Sequence, residues 1–92
     1  MATLYRTDGS VTDIRPKQGT DFSLEEAQAL VGGYVQVLNL PNGRIALFNE
    51  EGRLKQLPVN TKATAYIQRL YLPFEVVDFL GDVVIADNTE FL

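Results

Sequence analysis

Val31-Gly32-Gly33-Tyr34, Pro41-Asn42-Gly43, Asn49-Glu50-Glu51-Gly52 and Leu57-Pro58-Val59-Asn60 fall within one thirty-residue stretch, and each marks the end of an element. The middle of the stretch decides the fold. Tyr34 to Leu40 and Arg44 to Asn49 are rich in β-branched and aromatic residues, and Asn-Gly between two such runs is the strongest short-range hairpin signal. A two-residue Asn42-Gly43 loop sets Leu40 opposite Ile45, Leu38 opposite Leu47 and Gln36 opposite Asn49. The other side then holds Val35, Val37, Ala46 and Phe48. With apolar residues on both sides, the pattern predicts a central hairpin with a helix over one face and partial cover on the other.

Upstream, Leu24, Ala27, Leu30 and Val31 recur at helical spacing and predict a helix from about Leu24 to Val31 that Gly32 and Gly33 stop. Ser23-Leu24-Glu25-Glu26 reads as a capping box, with the Ser23 hydroxyl accepting from the Glu26 amide and the Glu26 carboxylate reaching back to Ser23. Because this Gly-Gly follows a helix instead of opening one, it is a helix stop and not a phosphate cradle. Thr3 to Arg6 and Val11 to Ile14 predict a hairpin about Asp8-Gly9, ended by Pro16. Downstream, Glu51-Gly52 closes a strand, and Arg53 to Pro58 passes over the surface with Leu54 and Leu57 dipping inward. Asn60 caps a second helix carrying Ala63, Tyr66, Ile67 and Leu70 on one face. Phe74 to Leu80 fits either an irregular segment or a strand. Val83-Val84-Ile85-Ala86 reads as a buried strand, and the tail from Asp87 frays. The expectation is one α+β domain over residues 1–92, in a single layer pair: four to five mostly antiparallel strands and two helices, in the order β-β-α-β-β-α-β. A small open barrel is the alternative.

Composition limits the chemistry. The 92 residues include no Cys and no His, which removes thiolate zinc sites, cysteine nucleophiles and the commonest general base together. No apolar run approaches the roughly 18 residues of a membrane span, and Arg6 followed by Asp8 lacks the order of a signal peptide, so the expectation is a cytoplasmic protein with no membrane partner. The net charge of −4 argues against general nucleic-acid binding. It conceals a gradient. Residues 44–69 are basic, through Arg44, Arg53, Lys55, Lys62 and Arg69 against Glu50 and Glu51, whereas residues 70–92 carry five acids and no base.

Val31-Gly32-Gly33-Tyr34-Val35, Asn49-Glu50-Glu51-Gly52-Arg53-Leu54-Lys55, Leu57-Pro58-Val59-Asn60 and Gly81-Asp82-Val83-Val84-Ile85 together resemble, in order and over nearly the whole chain, a family of small domains of unknown function from phages, plasmids and bacterial mobile regions. The resemblance implies an accessory role in a phage or mobile element and carries over no catalytic residues. The segment Tyr71 to Phe79 is longer and more apolar than that pattern.

The leading candidate site is a basic, polar collar of Asn49, Arg53, Lys55, Asn60 and Lys62, in which an anion would meet the amides and dipole of the second helix together with ammonium and guanidinium groups. The structural alternative is that Asn60 is only a cap, Asn49 fixes the Glu51-Gly52 turn and the cations pair with nearby acids. Asp78, Asp82 and Asp87 lack the dense oxygen spacing of a calcium loop, so neither a metal nor another cofactor is expected. Glu50-Glu51 is a poor acid/base pair, because neighbours on a strand point to opposite faces. Tyr34, Tyr66, Tyr71 and Phe74 read as core before they read as a stacking platform. The function expected is therefore a non-enzymatic binding module for a host protein or a small nucleotide-like anion. The rival is homo-oligomerisation through Leu70 to Leu80 or an edge strand, with an enzyme third.

Overall fold

The computed structural model describes residues 2–17, 19 and 21–91. Five strands, β1 (Ala2–Tyr5), β2 (Val11–Ile14), β3 (Val35–Asn39), β4 (Arg44–Asn49) and β5 (Val83–Asp87), alternate with two helices, α1 (Leu24–Val31) and α2 (Thr61–Tyr71), in the expected α+β order. The strands form one antiparallel sheet in the order β2-β1-β5-β4-β3. The last strand is thus the central one, and Val83, Val84, Ile85 and Ala86 are fully buried in it. A continuous apolar run suits a strand covered on both faces, and burying each Val or Ile contributes on the order of 1.5–3 kcal/mol.

Both faces are covered by helices, which corrects the single layer pair to three layers. Leu4, Ile45, Leu47 and Val84 pack in one cluster with Phe22 and with Ala27 of α1. Ala46, Val83 and Ile85 pack in the other with Ala63 and Ile67 of α2. Alternation along β4 and β5 sends consecutive side chains into the two cores, so each helix buries its apolar face on a different side of the same strands.

The hairpin is displaced from the center. Among the described residues β3 pairs only with β4, and it forms an edge of the sheet. Its register also differs by one residue: Leu38 lies opposite Ala46, Val37 opposite Leu47 and Val35 opposite Asn49. The cause lies in the loop. Leu40 N donates to Arg44 O at 2.8 Å and Gly43 N donates to Leu40 O, so Pro41, Asn42 and Gly43 form a three-residue loop with Gly43 left-handed at φ 82°. This is a turn closed by a glycine bulge. The β1–β2 loop is built identically: Arg6 N donates to Ser10 O, Gly9 N to Arg6 O, and Gly9 has φ 92°. In both loops the side chain of the Asx residue accepts from the amide two residues on, Asn42 from Arg44 and Asp8 from Ser10.

Other local expectations change. Ser23 Oγ accepts from Glu26 N, but the Glu26 carboxylate accepts from Lys17 N at 3.0 Å and so ties the helix to the preceding loop. Leu54 does not dip inward; it is 79% exposed, because residues 50–56 coil through successive turns instead of running extended. The tail does not fray over its described residues. Phe22 N donates to Glu90 O, and Phe91 packs against the α1-side core.

Asp8 is held below the ordinary aspartate range, first by the Ser10 amide and then by the Ser10 hydroxyl. A lowered folded value means that the stabilisation is complete at neutral pH and is lost as pH falls through that value. Asp8 is expected to titrate below a reference aspartate in a carboxyl-detected NMR titration, and Asp8→Asn is expected to abolish the accompanying shift of the Ser10 amide. An ordinary Asp8 titration contradicts this account of the turn.

Candidate functional site

The five collar residues divide: Asn49 and Lys55 both reach Gly33, and Asn49 and Arg53 line one groove, whereas Asn60 lies apart on the opposite face. Asn49 is on the α1 face of β4 and is buried; its Nδ2 donates to Val31 O at 3.2 Å and its Oδ1 accepts from Glu51 N at 2.8 Å. It therefore joins the end of α1 to the turn after β4. Asn60 lies on the opposite face and is fully buried. Its Oδ1 accepts from Ala63 N at 3.1 Å, while its Nδ2 donates to Tyr5 O at 2.8 Å and Gly81 O at 2.9 Å. One side chain thus caps α2, holds the end of β1 and fixes the turn before β5. Lys55 Nζ stands 3.7 Å from Glu51 and close enough to Gly33 that a Cβ there would lie 3.1 Å from it. Arg53 Nη2 donates to Asp78 O at 3.4 Å, and Lys62 is exposed in the first turn of α2.

Arg53 spans a groove of about 550 Å³ on the α2 face, beside β3. Its floor is apolar, formed by Leu38, Phe48 and Phe79, with Phe48 and Phe79 edge to face at a centroid distance of 5.2 Å. One wall is the 49–54 turn, and the other is residues 77–80. Gly52 shapes the inner end: a Cβ there would lie 3.2 Å from Leu80 Cβ and 3.3 Å from Leu80 O. A second hollow of about 540 Å³ lies beside the start of α1, but Ser23 and Glu26 in its lining are already committed to backbone amides.

The wall between α2 and β5 settles the ambiguity at residues 74–80 in favour of an irregular path, with only Leu80 making a bridge, to Val59. Its backbone is tied to α2. Gln68 Oε1 accepts from Val76 N at 2.9 Å, Gln68 Nε2 donates to Phe74 O, and Thr64 Oγ1 accepts from Phe79 N at 2.9 Å. Yet Leu72, Phe74 and Val77 are 67%, 74% and 69% exposed, and Leu54 stands across the groove from Val77. Phe74 and the exposed Tyr34 thus depart from the core assignment. Thr64 and Gln68 escaped sequence reasoning because a polar residue on a helix reads as solvated; their position beside an apolar run without strand pairing was the available signal.

The family model of a domain of unknown function, DUF3846, matches residues 7–91. The chain belongs to this family. Neither the curated proteins nor the solved structures give a match. The match covers every part of the DUF3846 domain described above except β1, including both groove walls. Among the described residues no three His, Cys, Asp or Glu side chains gather as a metal site, and no helix is long and apolar enough to cross a membrane. Of the three aspartates weighed for a metal, Asp82 accepts from Thr7 N at 3.1 Å and Asp87 pairs with Arg44 at 3.4 Å.

Two measurements check the roles assigned to side-chain amides. Asn60→Asp keeps the cap but removes both donors and brings a carboxylate against two carbonyls. It is expected to cost about 3 kcal/mol or more in urea unfolding, at least as much as Asn60→Ala; if Asn60 is only a cap, Asp restores wild-type stability. Gln68→Ala is expected to cost about 1 kcal/mol while raising hydrogen exchange at Val76 well beyond the global change. Uniform acceleration across the chain contradicts a local tie.

Proposed function

We propose that this DUF3846 domain is a non-enzymatic protein-binding module whose contact surface is the groove and the apolar ridge of Leu54, Leu72, Phe74 and Val77. The observation that carries this reading is a segment whose backbone is held by Gln68 and Thr64 while its large side chains face solvent. Exposed large apolar groups add nothing to the isolated fold and mark contact surfaces when they gather beside a polar rim. The anion-ligand version has less support, because Asn60 is fully committed within the fold and Lys55 and Arg53 turn to different neighbours. The accessory role in a phage or mobile element, acting on a host protein in the cytoplasm, rests on the motif resemblance.

The test uses wild type and Leu54→Ser/Phe74→Ser as paired baits. Both side chains are exposed, so the variant is expected to unfold within about 0.5 kcal/mol of wild type per site. A bacterial protein retained by wild type is expected to be lost with the variant and to bind again when both partners are purified. Equal retention by the two baits removes the ridge from the contact. Concentration-dependent dimers in light scattering that the variant abolishes shift the reading to self-assembly.

A further inference from the structure

The two edges of the sheet are not alike. β2 is Val11-Thr12-Asp13-Ile14 followed by Arg15, so it carries a charge within the strand and another beside it, a device that blocks pairing with another chain. β3 is Val35-Gln36-Val37-Leu38-Asn39, without a charge. Its hydrogen-bond phase is fixed by Leu40 N donating to Arg44 O and Glu50 N donating to Tyr34 O. In an antiparallel ladder, hydrogen-bonded pairs recur every second residue, so Gln36 and Leu38 turn their backbone groups toward β4. Val35, Val37 and Asn39 therefore aim their N–H and C=O groups at the open edge, and no described residue bonds them. The groove opens directly beside this edge, with Gln36 and Leu38 among its lining.

We infer that β3 accepts an extended segment of a partner protein as a sixth, added strand, whose alternate side chains are apolar and enter the groove while Lys or Arg residues meet its rim. This rests on the protein-binding reading above and names the class of partner. A strand added to an open edge takes affinity from main-chain hydrogen bonds and specificity from pockets for every second side chain, and here the pocket is floored by Leu38, Phe48 and Phe79. The rim sets the charge. Glu50, Glu51 and Asp78 stand against Arg53 alone, and of the acids Glu51 is shared with Lys55. A second copy of this acidic chain fits less well, because isologous pairing brings the same negative rim against itself.

The probe is a library of random twelve-residue peptides selected on the whole, immobilised chain. Alternating apolar residues with interspersed Lys or Arg are expected among the binders, and a synthetic binder is expected to slow exchange of the Val35, Val37 and Asn39 amides in wild type. Val37→Pro removes an outward N–H and leaves the β3–β4 ladder intact; it is expected to weaken that peptide at least tenfold while circular dichroism stays that of wild type. Glu50→Lys/Asp78→Lys is expected to turn selection toward acidic peptides. Binders that protect no β3 amide overturn the inference, as does a library that yields none above an unrelated control protein or a β3-edge homodimer in light scattering. If such binders, or the captured partner, still lose affinity with Leu54→Ser/Phe74→Ser, the ridge remains a contact surface and only the added strand is lost.

Discussion

The carboxamide of Asn60 is the constraint on which the two-sided architecture rests. Its oxygen starts α2 and its two hydrogens reach β1 and the turn into β5, while its own amide donates to Phe79 O at 2.7 Å. These four bonds join segments from the beginning, middle and end of the chain at a fully buried point. Such a group is satisfied only when all its partners arrive together, and that makes it a condition on the fold more than a source of net stability. The central strand needs this help. β5 comes last in the sequence and inserts between β1 and β4, so both of its pairings are non-local and the loops that close them are costly in entropy.

Much of this was legible because local chemistry and tertiary position agree. The Ser23 and Asn60 caps, the Gly32 stop and the buried Val83 to Ala86 run all rest on residues whose preferences point one way. The hairpin register was not legible. Asn-Gly serves a two-residue loop and also a three-residue loop closed by a bulge, and only the pairing of Leu40 with Arg44 separates them. The shift of one residue leaves apolar groups on both faces of β3, so the pattern could not reveal the error. Strand order was hidden for a related reason: nothing in a hairpin says on which side a later strand will dock.

The collar does not assemble around Asn60 because residues near one another in sequence are divided by the sheet. Asn49 and Asn60 are eleven positions apart, yet β4 and α2 place them on opposite faces. Their polarity serves internal joints: Asn49 fastens the end of α1, and Asn60 the start of α2. Burial makes the distinction. A ligand site needs polar atoms that are free and accessible; Asn60 has both donors engaged, and Asn49 is buried with its oxygen and its nitrogen each bonded to backbone.

The surface of the Leu72 to Leu80 segment is the complement of that economy. A small domain with two cores has a shortage of apolar side chains, and most of the Val, Ile and Leu in its strands and helices are at least partly buried, with Val11, Leu24 and Val37 as exceptions. Against that demand, a crossing that leaves Leu72, Phe74 and Val77 outside, with Leu54 across the groove from Val77, is a departure from what stability alone favours. The bonds from Gln68 and Thr64 remove the simplest explanation, an unstructured connection whose side chains lie wherever they fall. A fixed backbone lowers the entropy a partner must overcome on docking, so the arrangement suits recognition by a preformed surface. The bare β3 edge lies along the same groove, and there main-chain and side-chain contacts are available to one extended ligand together.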